Sequence, residues 1–337
     1  MVSGGQASGF AQGGGTWRII DYLTNIEVRL NGSPMGARGR ARELVALAGY
    51  RLGQLPVSNW RNYATNTQRD AIPILFGTHL WDKRRYLDLA RYNEAQIRIT
   101  NTATSSQFSQ LSVTIYALWL RENNVPTQGY ILRELFREYA PTAGSTDQND
   151  LPVEYPIAGI YVQGDPGLDA NGRVNTHPHN LLWNVKFALK SRQIEIFNDE
   201  ISELTWHNNY LWGYLPFTGG ISYLTAGKEH DVGLAQVQQM AGIAGEKTGA
   251  AATVIPTVEG DENNPSQLFR GFQTDVLQEW IARGLGYHNV FPIFMDKTEM
   301  LEEMLQPAMS QQGQVNVDIQ TRSTATITGA FVRLYLE

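Results

Sequence analysis

The stretch Asp21-Tyr-Leu-Thr-Asn-Ile-Glu-Val-Arg-Leu-Asn-Gly32 occurs in a second version, Asn180-Leu-Leu-Trp-Asn-Val-Lys-Phe-Ala-Leu-Lys-Ser191, that aligns with it without a gap. At a constant offset of 159 positions Leu23 matches Leu182, Asn25 matches Asn184, Ile26 matches Val185, Val28 matches Phe187 and Leu30 matches Leu189. From Ile26 onward the apolar residues fall at every second position, the period of a strand with one buried face. Each copy therefore reads as a half-buried strand.

A second pair follows in the same order. Ile72-Pro-Ile-Leu-Phe76 leads through a helical stretch, 80–92, to the alternating strand Ile97-Arg-Ile-Thr100 and then an apolar strand over 113–120. Phe291-Pro-Ile-Phe-Met295 leads through a helical stretch, 297–305, to Val315-Asn-Val-Asp-Ile319 and then an apolar strand over 327–336. Two pairs in one order imply that a single unit is written twice. What lies between the matched blocks differs, 33–70 in the first copy and the longer 192–289 in the second, and such insertions belong in loops at one end of a rigid scaffold.

Between the copies, 130–139 (YILRELFREY) has helical spacing, with Ile131, Leu135 and Phe136 able to share a face. Pro141 ends that helix, and the polar run 142–150 reads as a linker. Leu151-Pro-Val-Glu-Tyr-Pro-Ile-Ala-Gly-Ile-Tyr-Val162 then opens the second copy, with a strand over 157–162. The organisation expected is a flexible Gly-rich arm over 1–15, a first domain over 16–125, a helix and linker over 126–150, and a second domain over 151–337 carrying a long insertion around 211–265.

Composition narrows the function classes. The 337 residues contain no Cys, so disulfides, Cys-ligated zinc or iron–sulfur sites and thiol nucleophiles are all excluded. With 27 Lys+Arg against 33 Asp+Glu the net charge is −6, contrary to a surface built to neutralise nucleic-acid phosphates; no direct genome binding is expected. No apolar run approaches the roughly 18 residues of a membrane helix, and the opening MVSGGQASGFAQGGG lacks the basic flank and apolar stretch of a signal peptide. Charged residues are only 18% while aromatics include 8 Trp, 15 Tyr and 12 Phe, a balance that suits a chain covering much of its surface with other subunits.

Many strands, few short helices and loops of very unequal length indicate antiparallel β-sandwiches rather than βαβ units. A helix followed by two strong strands in each copy suits a jelly roll better than an immunoglobulin-like sandwich. The fold class expected is all-β with a few short helices: two tandem eight-stranded antiparallel jelly rolls.

On three stretches the sequence resembles the double jelly-roll major capsid proteins of tailless icosahedral viruses, especially internal-membrane bacteriophages such as tectiviruses, corticoviruses and finnlakeviruses. Ile19-Ile-Asp-Tyr-Leu-Thr-Asn-Ile-Glu-Val-Arg-Leu-Asn-Gly32 looks like the opening strand of that family's first domain. Leu87-Asp-Leu-Ala-Arg-Tyr-Asn-Glu-Ala-Gln-Ile-Arg-Ile-Thr100 looks like its helix-to-strand passage, and 151–162 followed by 182–189 is similar to the opening of its second domain. The resemblance implies a structural protein of the virion shell, made in the host cytoplasm, without catalytic, cofactor or metal site. It implies homotrimers whose six sandwiches imitate a hexagon and tile an icosahedral shell. Its partners would be itself, penton and minor capsid proteins, and membrane lipids reached through the arm over 1–15. Two readings from other classes stand beside it: a carbohydrate-binding or glycoside-cleaving β-sandwich, and a trimeric receptor-binding spike.

Individual motifs point to no chemistry. Gly242-Ile-Ala-Gly-Glu-Lys-Thr248 lacks phosphate-loop spacing and reads as a loop. Asp165-Pro-Gly-Leu-Asp-Ala-Asn-Gly172 gathers oxygen side chains but lacks the ligand order and closing Glu of an EF-hand, so it reads as a Gly/Pro turn. His177-Pro-His179 offers two metal nitrogens without a third ligand. Asn31-Gly-Ser33 fits a glycosylation acceptor but reads as a tight turn after a strand. The basic runs 38–42 (RGRAR) and 83–85 (KRR) read as solvated or intersubunit salt-bridging faces rather than lipid or nucleic-acid contacts. The aromatic stretch 206–214 (WHNNYLWGY) is either core or an interface anchor.

Overall fold

A computed structural model describes residues 2–6, 19–56, 67–104, 108–119, 127–152, 154–165, 178–212, 217–224, 229–231, 234–235, 247–248, 257–258, 268–270, 276–283, 286–295, 305, 314–323 and 329–337. It is mostly β-sheet with a few short helices. The architecture is clearest in the second half. Alternating sequence folds there into eight strands: β7 (Arg133–Tyr139), β8 (Thr146–Asp150), β9 (Gly159–Asp165), β10 (Asn184–Leu189), β11 (Ile194–Glu200), β20 (Val290–Phe294), β21 (Asn316–Gln320) and β22 (Phe331–Leu336). One sheet runs β20-β9-β22-β7 and the facing sheet runs β11-β10-β21-β8, every pair antiparallel. Lettered B to I in chain order, these are the G-D-I-B and F-E-H-C sheets of a complete jelly roll. Ile160, Val162, Val332, Leu334, Phe291 and Ile293 of the first sheet meet Val185, Phe187, Val317 and Ile319 of the second in one apolar core.

The first half repeats six of these strands. They are β1 (Val2–Gln6), β2 (Leu23–Leu30), β3 (Ser33–Gly39), β4 (Thr67–Asp70), β5 (Ala95–Asn101) and β6 (Phe108–Val113). β1 lies between β4 and β6 as β9 lies between β20 and β22; β2 lies between β3 and β5 as β10 lies between β11 and β21. Strands β1 to β6 thus reproduce D to I in order and in partner, and the duplication inferred from the two quoted stretches is a duplication of topology. Counterparts of β7 and β8 are absent among the described residues. Ile26, Val28 and Leu30 of β2 point into the first unit's core, which Ile99 of β5 and Leu111 of β6 also reach.

The repeat extends to helices. A single helical turn precedes each matched strand, α1 (Ile19–Tyr22) before β2 and α3 (Pro178–Leu181) before β10. A twelve-residue helix follows each F strand, α2 (Ala41–Leu52) after β3 and α4 (Ile201–Trp212) after β11. The segments expected to differ between the copies therefore begin alike. The remainder of the second insertion adds short strands: β12 (Phe217–Leu224), β13 (Glu229–Asp231), β14 (Leu234–Ala235), β15 (Lys247–Thr248), β16 (Thr257–Val258), β17 (Leu268–Arg270), β18 (Val276–Arg283) and β19 (Gly286–Tyr287). β12, β18 and β15 form one small sheet and β13, β17 and β16 another.

Five expectations are corrected. Residues 130–139 are not helical: Arg133–Tyr139 is strand β7, because β22 offers an open sheet edge and the alternation of Leu135 and Arg137 fits it. The linker over 142–150 holds strand β8, so the second unit begins before residue 151. The arm over 1–15 is not wholly flexible, since Val2–Gln6 is the middle strand of a sheet, hydrogen-bonded on both sides. The stretch 80–92 forms turns and one 3₁₀ turn, Leu89–Arg91, and the apolar run after Val113 leaves the sheet with 114–119 exposed. The helix expected over 297–305 lies outside the described residues except Leu305, which bridges to Ile157.

Candidate functional site

The two units meet along a joint that holds the buried charges Glu43, Arg133, Arg333 and Glu337. β3 of the first unit pairs in parallel with β7 of the second through Ala37↔Arg133 and Arg38↔Glu134. This short ladder fuses the first unit's β3-β2-β5 sheet to the second unit's β20-β9-β22-β7 sheet. Helix α2, leaving β3, then crosses the outer face of the second unit's sheet. Strands β9 and β22 are consequently buried on both sides: Ile160, Val162, Val332 and Leu334 face the core, while Tyr161, Gln163, Arg333 and Tyr335 face α2.

Helix α2 is covered nearly all round, with Ala41 and Leu44 in the first unit's core and Tyr50 turned to the second unit. Its exit is set by Gly53, whose φ of 74° is the left-handed conformation that ends helices at little steric cost. The Tyr50 hydroxyl donates to the Val290 carbonyl at 2.6 Å and accepts from the Tyr287 amide at 3.0 Å. Its ring packs on Tyr287 with centroids 4.9 Å apart.

Two ion clusters flank Tyr50. In one, the Glu337 carboxylate is fully enclosed and binds Arg51 of α2 at 2.8 Å, Arg133 of β7, and the hydroxyl of Tyr161, which donates to it. Burial pushes this carboxyl up, but Arg133 and Arg51 outweigh burial and hold it at about 2. Arg133 also donates to the carbonyls of Leu75 and Gly77, so one guanidinium ties a first-unit loop to the end of β22. In the other cluster, Arg333, wholly buried, binds Glu138, Asp165 at 2.7 Å and Gln163 at 3.0 Å, with Glu43 of α2 at 3.5 Å. Burial raises the Glu43 carboxyl, and Arg333 only partly offsets this; its Oε2 has no hydrogen-bond donor among the described residues. Arg42 reaches His288 at 3.4 Å and Arg40 reaches Glu138 at 2.9 Å across the same joint.

The loop that receives Arg133 is itself built around one carboxylate. Asp82 accepts from the Thr78 amide and hydroxyl and from the amides of Arg84 and Arg85, at 2.8 to 3.1 Å. These amides lower its pKa against the opposing effect of burial. Gly77 lies so close that a β-carbon would stand 2.5 Å from the Arg85 carbonyl oxygen and 2.6 Å from the Asp82 β-carbon.

The sequence motifs fall as follows. Asn31 and Gly32 have positive φ and close the β2–β3 hairpin as a tight turn, with the Asn31 side chain accepting from the Asn93 and Glu94 amides. In the RGRAR run Arg38 faces Glu27 at 3.8 Å, Arg40 faces Glu138 and Arg42 faces Asp21 at 3.5 Å; all three are paired within the chain. Arg85 is buried in the Asp82 turn while Lys83 and Arg84 are exposed. Asp165 binds Arg333, and 166–172 lie outside the described residues, as do His177 and 242–246. Trp206 and Tyr210 are exposed on α4. Among the described residues no group of three or more His, Asp or Glu is placed to hold a metal ion.

Sequence reasoning missed Glu43, Tyr50, Arg51, Arg133, Arg333 and Glu337. The available signal was the alternation Arg333, Tyr335, Glu337 on one side of β22, which reads as a wet face unless a covering helix is known. The joint fixes the two units in one relation through a two-pair ladder and the ion clusters of Glu337 and Arg333.

No protein-family profile matches the chain, and no curated protein matches it. Two solved structures do. One is the major capsid protein P2 from Bacteriophage PM2, at 10% identity over 99% of this chain and 86% of that chain, with a TM-score of 0.41. The other is the quasi-atomic model of the PBCV-1 virus capsid, at 10% identity over 99% of this chain and 84% of that chain, with a TM-score of 0.46.

Proposed function

We propose that this protein is a viral major capsid protein, a homotrimer whose paired sandwiches imitate a hexagon and tile an icosahedral shell. The reading is carried by one observation: six of the eight strands of a jelly roll recur in the same order and pairing within one chain, and the two units are locked side by side by a buried joint. A tile needs that rigidity, since its edges must keep fixed directions for neighbours to fit. The low charge fraction and the three family-like stretches support the same reading. In it the chief partner is a second copy, with penton and minor capsid proteins filling positions that trimers leave.

Native mass measurement of the purified protein tests this. The expected species is three times 37.7 kDa, and larger shells built from it. A stable monomer under virion-like salt would overturn the proposal. In virions, gel densitometry should show this chain as the dominant protein; a few copies per particle would instead mark a spike. A glycan-binding or hydrolysis screen should be negative for the coat reading to stand.

A further inference from the structure

We propose that the exposed face of helix α4 docks on the first unit of a second copy, across the outer face of the β4-β1-β6 sheet, as α2 docks on the second unit within the chain. The proposal rests on the self-association put forward above and specifies its surface.

The argument is the internal repeat. α2 and α4 each have twelve residues, each follow the F strand of their unit, and align without a gap at an offset of 160 positions: Glu43 with Glu203, Leu44 with Leu204, Tyr50 with Tyr210. Leu44 and Leu204 do the same work, each buried in its own unit's core. Ile201 joins Leu204 in the core, and Asn208 donates to the Pro292 carbonyl at 2.6 Å, which together hold one face of α4. The other residues part company. Tyr50 is 1% exposed, clamped on the neighbouring jelly roll, while Tyr210 is 88% exposed; Glu43 is buried and Glu203 exposed. Trp206, one turn before Tyr210 and on the same side of the helix, is 57% exposed. A Trp and a Tyr set outward one turn apart are side chains typical of interface anchors, and here they stand where the paired helix has its interface.

The receiving surface is defined the same way. Inside the chain α2 covers Arg333 and Tyr335, the outward residues flanking core-facing Leu334 of β22. In the first unit the matching strand is β6, where Gln110 and Ser112 flank core-facing Leu111, and both are exposed. Just beyond β6, Ile115, Tyr116, Leu118 and Trp119 are also exposed, a run of apolar side chains beside the same sheet edge. The contact uses two different surfaces, one from each copy, so it is heterologous and propagates head to tail until it closes into a ring.

Two sets of substitutions test it in the full chain. Trp206→Asp with Tyr210→Asp removes the α4 side; Gln110→Arg with Ser112→Arg blocks the sheet side. Each alone should weaken association at least about tenfold, the loss of one interface anchor. Mixed, the two variants should form a one-to-one dimer and stop there, because one competent pair of surfaces remains. The lack of Cys gives a second readout: Tyr210→Cys with Ser112→Cys, treated with a short bis-maleimide, should yield covalent dimers and trimers, while either change alone should not. Crosslinking also reports on the contact should the charged variants misfold. If the parent protein is a trimer and both charged variants remain trimers, with no crosslink, this surface is overturned and the coat proposal stands. If only the α4 variant dissociates, the contact is α4 against α4 and the proposal fails. A monomeric parent removes both.

Discussion

Glu337 and Glu43 are both buried beside arginines, yet they sit on opposite sides of their usual titration range, which makes them a controlled pair. Glu337 is held near 2, below its ordinary value of 4.5, so its ion cluster contributes fully above about pH 4.5. That contribution is lost as pH falls from about 4.5 towards 2. Glu43 is shifted upward, so its ionisation opposes folding as pH rises above 4.5. Glu337→Gln is expected to cost about 3–5 kcal/mol at pH 7, because Arg51 and Arg133 lose their shared buried counter-charge. Glu43→Gln is expected to be neutral or stabilising at pH 7, and denaturant titrations of both variants across pH 3 to 7 check the contrast. Gly77→Ala should destabilise by about 1–3 kcal/mol, since the added methyl meets backbone and the Asp82 side chain with no room to yield. Thermal unfolding measures that loss. None of these residues announced itself in the sequence, because a charged side chain in an alternating strand looks solvated until the element covering it is known.

At the scale of elements the legible and the illegible separate by physical cause. Strands β2 and β10 were readable because one face of each is polar, leaving a clean period of two. Helix α2 was not readable: it is enclosed by both units, so its apolar residues run round it and no single stripe marks it. Strand β7 was misread because Ile131, Leu135 and Phe136 also satisfy a helical spacing, and only the vacant edge of β22 decides between the two. The Asp82 turn was misread as helix because its apolar residues mimic the period while its backbone amides turn inward to one carboxylate. For α2 the expectation is specific. Tyr50→Phe removes a hydroxyl that both donates to Val290 and accepts from Tyr287, deleting two hydrogen bonds at a buried position. The loss should be about 1–3 kcal/mol by chemical denaturation, with little change in secondary structure by circular dichroism.

For the whole molecule, the joint couples two units that could otherwise unfold in turn. α2 belongs to the first unit's core and covers the second unit's sheet, so neither can open without exposing the other. Calorimetry should therefore show one transition whose van't Hoff enthalpy matches the calorimetric one; two resolved transitions would mean that the clamp does not couple them. The overall plan, one sandwich written twice, was legible because duplication leaves its mark at a fixed offset. The relation between the copies was not, since it rests on residues that differ between them.

The parallel seam between β3 and β7 has a mechanical consequence. Only two residue pairs join the sheets there, a length that would unzip bond by bond if pulled from one end. Because α2 straddles the seam, prying the halves apart must tear out the tyrosine anchor and both arginine cages together. The joint should thus hold its angle under load until it fails all at once, like a riveted plate rather than a hinge.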